Sequence, residues 1–228
     1  MVSLVYFKNV SKAYNGSLIL DNITFKIDPG EFVSLVGRSG VGKTTLLKML
    51  LKEESPTKGR IFFDDKDVNK FTNQDITFLR RKIGMVFQDF KLLTQKTAYE
   101  NVAFAMEVAG YPEKMIEKDA PELLKLVNLE GRANNFPYQL SAGEKQRVVI
   151  ARVLAQRPEL ILADEPTGDL DPINTWDIIK LLTKINELGT AIILATHNKE
   201  VINTLGRRVI SLDDGKIIRD EEEGRYLI

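Results

Sequence analysis

The sequence predicts an α/β fold: a buried parallel sheet with helices on its faces, an antiparallel β subdomain ahead of it and an α-helical subdomain inserted into it. Three observations carry this. The apolar runs Phe32-Val33-Ser34-Leu35-Val36, Leu160-Ile161-Leu162-Ala163 and Ala191-Ile192-Ile193-Leu194-Ala195 lack polar alternation, as strands covered on both faces do. Helical patterns separate them. Between the first and second runs, Ala98, Val102, Ala105 and Ala109 recur at three- and four-residue spacings, the period of a one-sided helix.

Taken in order, Leu4-Val5-Tyr6-Phe7 and Ile23-Thr24-Phe25-Lys26-Ile27 read as strands, and Asp28-Pro29-Gly30 as a turn with Pro at its second position and Gly at its third. Tyr14 falls in the polar stretch Lys12-Ala13-Tyr14-Asn15-Gly16, read as a loop. There it is either a partly exposed packing residue or a platform for a purine base. After the first buried run comes Gly37-Arg38-Ser39-Gly40-Val41-Gly42-Lys43-Thr44, which fits GxxxxGK[ST], the P-loop pattern. A strand feeding a glycine turn that opens a helix converges backbone N–H groups and the positive helix end on one anionic spot. Phosphates of a nucleotide suit that spot: Gly37, Ser39, Gly40, Gly42 and Thr45 supply backbone or side-chain donors, Lys43 reaches the β- and γ-phosphates, and the Thr44 hydroxyl takes a Mg²⁺ position.

Ser55-Pro56-Thr57-Lys58-Gly59 is a turn, Ile61-Phe62-Phe63 with Asp64-Asp65 a short strand and hairpin, and Thr72 to Arg81 a helix capped by Thr72 or Asn73. The run Ile83 to Phe87 ends in Gln88, an uncharged acceptor able to bond a metal-bound water. Gly110 closes the helix from Ala98, Pro112 starts another, and Pro121 kinks or restarts it. Leu140-Ser141-Ala142-Gly143-Glu144 opens a helix to about Gln156, with Ser141 and Glu144 as a capping box. That box accounts for the helix start but not for Gly143, because glycine early in a helix costs about 1 kcal/mol against alanine. A bare backbone there admits an anion.

Asp164 and Glu165 end the second buried run. Asp164 is placed to hold Mg²⁺ through water, and Glu165, pointing the other way, to polarise the water that attacks a γ-phosphate; the alternative is a charged helix cap. Asp171-Pro172 opens the next helix, with Gly189 near its end, and the third buried run delivers His197, the only histidine. A lone histidine is commonly a satisfied surface residue, but at this edge it can donate to a phosphate oxygen. Val209 to Leu212, Asp213-Asp214-Gly215 and Lys216 to Ile218 form a hairpin, and Asp220 to Glu223 an acidic solvated tail.

Composition narrows the function. With 228 residues, 43% hydrophobic, the chain builds one domain, residues 1–228, whose helical subdomain spans about 89–156. Lys plus Arg (32) balances Asp plus Glu (32), so there is no electrostatic grip on nucleic acid, which is not expected as a partner. Cysteine is absent, which fits a reducing compartment. Met1-Val2-Ser3-Leu4 lacks signal-peptide character, and a cytoplasmic location is expected.

Together the motifs resemble the nucleotide-binding subunits of ABC transporters almost end to end: an aromatic loop (Tyr14), Walker A (Gly37 to Thr44), a Q-loop (Gln88), the signature (Leu140 to Gln146), Walker B (Leu160 to Glu165), a D-loop (Gly168 to Asp171) and a switch histidine (His197). The resemblance implies a Mg²⁺-dependent ATPase of ABC type, with Glu165, His197 and Gln88 in catalysis. It also implies a head-to-tail dimer of two copies in which each ATP lies between Walker A of one and Ser141 and Gly143 of the other, with Asp171 at the same junction. The phrases Phe78 to Asp89, Asn135 to Ser141 and Asp164 to Asp171 are most like the family's cell-division ATPases, and in part like its lipoprotein-release and macrolide-export ATPases. In the cell-division branch the chain sits peripherally on the inner membrane face, through an integral membrane protein docking near Asp89 to Tyr99 that signals outward to peptidoglycan hydrolases. Two other readings stand beside it: a soluble ABC ATPase acting on nucleic acid or ribosomes, and a scaffold that holds ATP structurally.

The sequence departs from the family signature at Ala142, usually glycine, and at Lys145, often glutamine. At the first helical position φ is negative, which alanine adopts readily. Ala142→Gly is therefore expected to change ATPase turnover by less than about a hundredfold, a ratio of under 3 kcal/mol in the barrier, read by steady-state phosphate release.

Overall fold

The structure is a computed structural model that describes residues 3–226. Met1 and Val2, which head the stretch considered above for a signal peptide, lie outside it. Among the described residues, no helix is long and apolar enough to cross a membrane.

A six-stranded sheet forms the centre, built from β3 (Phe32–Val36), β6 (Ile83–Val86), β7 (Leu160–Asp164), β8 (Ala191–Thr196), β9 (Arg208–Asp213) and β10 (Lys216–Glu221) in the spatial order β10-β9-β3-β8-β7-β6. All pairings except β9 with β10 are parallel. Alternate residues feed two cores: Phe32, Ile161, Ala163, Ile192 and Leu194 face one, while Val33, Leu35, Leu160, Leu162, Ile193 and Ala195 face the other. This period of two explains why the runs show no polar alternation. Both faces are covered.

The second core is closed by α1 (Lys43–Leu50) and by an antiparallel sheet, β2-β1-β4-β5, of β1 (Val5–Tyr14), β2 (Ser17–Ile27), β4 (Lys58–Phe63) and β5 (Lys66–Asp67). Here β1 runs to Tyr14, well beyond the expected Phe7. It pairs with both β2 and β4 through register shifts, and these bulges break the alternation that would reveal a strand. Asn15 (φ 49°) and Gly16 (φ 83°) make the two-residue turn to β2, so Tyr14 ends a strand and does not sit in a loop. The Asp28-Pro29-Gly30 turn forms as expected, Glu31 N–H donating to Asp28 O at 3.1 Å.

The first core is covered by α3 (Ala98–Ala109), α4 (Glu113–Leu126), α5 (Ala142–Leu154) and α6 (Pro172–Glu187); α2 (Asn73–Lys82) precedes β6, and α7 (Lys199–Leu205) follows β8. Pro121 neither restarts nor ends α4. It lies exposed, while Ile116, Ala120 and Leu124 hold the opposite face in the core, and this packing outweighs one missing hydrogen bond. Asp220 to Glu223 are exposed as expected, but Asp220 is no loose tail: it belongs to β10 and accepts from Arg208 Nε and Nη2 at 2.7 Å each.

Capping boxes open α2 (Thr72, Asp75), α3 (Thr97, Glu100) and α5 (Ser141, Glu144). The Ser141 backbone N–H, then Arg132, hold the Glu144 carboxyl below the ordinary glutamate range. A depressed folded pKa contributes stability above the unfolded value and loses it as pH falls through the folded one. Glu144→Ala should lower Tm at pH 7 by roughly 2–4 °C. The gap should close below about pH 4, as followed by thermal unfolding across pH.

Candidate active site

Parallel pairing sets the loops after β3, β6, β7 and β8 at one edge. Val36 lies opposite Thr196, Asp164 opposite Ala195 and Val86 opposite Ala163. Residues that follow these strands therefore converge at the carboxyl ends, where α/β sheets bind ligands.

The loop after β3 is fixed by backbone geometry. Gly40 (φ 81°) and Gly42 (φ 107°) are left-handed, and a Cβ at Gly42 would lie 2.6 Å from Leu20 Cδ2, so both handedness and packing demand glycine there. Gly42 caps α1 without any side-chain bond, which leaves the first-turn N–H groups for an anion. Lys43 is buried, 6% exposed. Its Nζ donates to Gly37 O at 2.7 Å and Arg38 O at 3.3 Å and lies 3.8 Å from Glu165 Oε1. Burial pushes this ammonium below the ordinary lysine value, while Glu165 and Asp164 pull it back up.

Above the loop lies a cavity of about 500 Å³ lined by Ser39, Gly40, Gly42, Lys43, Thr44, Thr45, Phe87, Gln88, Asp89, Asp164, Glu165 and Asp169. Its size suits a small-molecule ligand. Asp164, at the end of β7, buries Oδ1 without a hydrogen-bond partner. Burial raises its carboxyl above the ordinary aspartate range, against the Thr44 hydroxyl, which lowers it. A lone buried carboxylate oxygen beside a hydroxyl fits a hard divalent cation, with phosphate and water completing the shell.

Glu165 is not a strand residue. It has left φ (46°) just past β7, and its N–H donates to Ala195 O at 2.8 Å. Oε1 lies 2.7 Å from His197 Nδ1, and Oε2 accepts from Thr196 Oγ1 at 3.1 Å. Neither it nor Asp164 caps a helix, so that alternative falls. With its proton on Nδ1, His197 donates to Glu165 and keeps Nε2 for a second acceptor.

Other expected residues are placed differently. Gln88 lines the cavity, but its Nε2 donates to Asp169 Oδ1 at 3.2 Å. Asp171 does not line it: its carboxylate accepts from Ile173 N–H, Asn174 N–H and Asn174 Nδ2 as cap of α6. Asp169 takes the cavity position instead. Tyr14, Ser141 and Gly143 also lie outside this lining. Tyr14 is 39% exposed under Lys12 Nζ, 4.7 Å from its ring centre. Phe87 and Asp89 were missed by sequence reasoning; the signal was their adjacency to Gln88 at a strand end.

Residues 20–168 match the ABC transporter family. The cell division ATP-binding protein FtsE of Bacillus subtilis is 51% identical over 224 residues, 98% of each chain. The methionine import ATP-binding protein MetN of Halalkalibacterium halodurans is 45% identical over all of this chain and 67% of its own. Among solved structures, the dimeric ATP-binding cassette MJ0796 in a post-hydrolysis state with ADP and Pi superposes with a TM-score of 0.86 at 39% identity, covering 97% of this chain and 100% of the other. A glycine loop with a desolvated lysine, two carboxylates and a histidine gathered at one sheet edge, and a family match over residues 20–168 that takes in the loop and both carboxylates, have one meaning: the chain belongs to the ABC transporter family as an ATP-binding, ATP-hydrolysing subunit.

Proposed function

We propose that this chain is the ATPase of an FtsE–FtsX-type complex, working as a head-to-tail dimer with two ATPs between its copies and driving an FtsX-like membrane protein in bacterial cell division. One observation carries the dimer. The start of α5, capped by Ser141, does not line the chain's own cavity, so the N–H groups of its first turn serve another copy. The dimeric cassette MJ0796 lends support, and the 51% identity to an FtsE favours the cell-division role.

In this reading ATP lays its phosphates on residues 37–45, with Lys43 against the β- and γ-phosphates and Tyr14 against the base. Thr44, Asp164 and Gln88 would hold Mg²⁺, which would supply positive charge to the phosphate oxygens. Glu165 takes the proton of the attacking water. His197 and Thr196 fix the Glu165 carboxylate, and His197 Nε2 reaches the γ-phosphate. A half-site lacks the partner's donors, and losing half the contacts to the transferring group costs about 3 kcal/mol, or a hundredfold. Turnover therefore needs closure of the dimer.

The membrane partner is proposed to dock at Asp89 to Tyr99. This segment is held rigidly: buried Asn101 accepts from Leu93 N–H and donates to Leu93, Lys96 and Thr97 carbonyls at 2.9–3.1 Å, and Arg152 donates to Phe90 and Lys91 carbonyls. Beside it runs a groove of about 350 Å³ lined by Met85, Phe87, Leu93, Phe104 and Val108, with Phe104 40% and Val108 55% exposed. Such a groove suits an amphipathic helix. In this reading the chain reaches the inner membrane face through this partner. A second reading, ATPase of a transporter, is favoured by the 45% identity to a methionine importer subunit.

Glu165→Gln should cut phosphate release at least about a hundredfold and trap a dimer with Mg-ATP, seen by light scattering; a monomer under those conditions would defeat the sandwich. Extracted from native membranes with Mg-ATP, this variant should carry a few-span protein with an extracellular domain, whereas a many-span permease would establish the transporter reading. Phe104→Glu should abolish that co-purification with ATP affinity unchanged.

Protonation of Asp164 competes with a cation. Because its folded pKa is raised, the apparent Mg²⁺ affinity should weaken as pH falls, starting above the roughly pH 4 at which an ordinary aspartate titrates. Mg²⁺ titrations of ATPase activity from neutral to acid pH test this.

A further inference from the structure

The second residue of α5, Gly143, is buried, and the side chain it lacks has a substitute. A Cβ built on Gly143 would meet Asn174 of α6, lying 2.6 Å from Cγ and 3.1 Å from Cβ, with Oδ1 nearer still. The space that glycine leaves bare is thus filled from within the same chain. Asn174 is itself held: its N–H donates to Asp171 Oδ1 at 3.0 Å and its Nδ2 donates to Asp171 Oδ2. An ionised carboxylate only accepts, so the amide nitrogen must face Asp171 and the amide oxygen must face Gly143. No other side chain of this size supplies both. Aspartate would set two carboxylates together, and leucine would lose the bond.

Asp171 ends the loop that carries Asp169, which accepts from Gln88 and lines the ATP cavity. A path therefore runs from the chain's own cavity at Asp169, along the backbone to Asp171, and by side-chain contact through Asn174 to the start of α5.

We propose that Asn174 is a positioning residue that sets the start of α5 against the loop of the chain's own ATP site, so that occupancy of one site adjusts the anion-binding helix start offered to the other. This rests on the head-to-tail dimer proposed above. Coupled sites of this kind differ in affinity by roughly 5- to 150-fold, which shows as cooperativity in ATP.

The test compares Asn174→Ala, Gly143→Ala and the double variant in the full chain, reading kcat, the Hill coefficient for ATP, binding of a fluorescent ATP analogue and Tm. Asn174→Ala should keep analogue affinity within about twofold, lower kcat about tenfold and bring the Hill coefficient towards 1. Asn174→Asp, equal in size, should do the same, which separates the amide's role from a void. Gly143→Ala must expel Asn174 and should lose more, and the double variant should recover to the level of Asn174→Ala. Wild-type kcat and Hill coefficient in Asn174→Ala would overturn the proposal, as would a double variant no better than Gly143→Ala, since the glycine would then be bare for the anion alone. The dimer is checked apart, in Glu165→Gln with Mg-ATP. If that chain dimerises while Asn174→Ala behaves as wild type, only the role of Asn174 falls; if it stays monomeric, the dimer reading and the coupling fall together.

Discussion

The hydrogen-bond register of four parallel strands is the constraint on which the site depends. Val36 against Thr196, Asp164 against Ala195 and Val86 against Ala163 bring the glycine loop, the paired carboxylates, His197 and Gln88 to the same edge, although they are far apart in sequence. A slip of one residue in β7 would reverse its faces. Leu160 and Leu162 would then leave the core they share with Val33 and Leu35, and the carboxylates would move with them. Close packing opposes that slip, because Leu160 and Leu162 would have to exchange places with Ile161 and Ala163 of different shape and volume. The same apolar packing that stabilises the sheet thereby fixes Glu165 against His197 to within a hydrogen bond.

Helix α5 extends this order away from the edge. Its start is fixed by the Ser141–Glu144 box, its Gln146 donates to Phe87 O at 3.4 Å beside Gln88, and its Arg152 holds the carbonyls of Phe90 and Lys91. Further along, Val153 packs where a side chain on Gly84 of β6 would otherwise stand. One rigid element thus touches the face proposed for a second copy, the loop that lines the ATP cavity and the segment proposed for a membrane partner.

Much of this was legible in the sequence because local chemistry decides it. GxxxxGK[ST] between a strand and a helix, the Pro-Gly turn at 29–30 and the S-x-x-E box at 141–144 each specify their own geometry within a few residues. What was not legible depends on distant partners. The full length of β1 follows from pairing with β2 and β4 across bulges, and Asp220 is tied down by Arg208, which the sequence cannot pair with it. The left-handed φ of Glu165 arises where its N–H reaches Ala195 O, a contact made by another strand. Aspartates 169 and 171 look alike in sequence; the carboxylate of Asp171 is consumed by the N–H groups of α6, and Asp169 is the one left for the cavity. The function of Gly143 was half visible, since its cost in a helix was plain but the side chain lying against it was not.

The electrostatics of the cavity tie phosphate binding to the proposed base. Lys43 is desolvated and satisfies itself with Gly37 O, Arg38 O and the nearby Glu165 Oε1, the same oxygen that meets His197, while Thr196 occupies Oε2. Triphosphate binding offers Lys43 stronger anionic partners than a shared carboxylate, and drawing the ammonium onto the phosphates leaves Glu165 held by His197 and Thr196 alone. In the proposed cycle the residue that meets the phosphates thus also stands beside the proposed base.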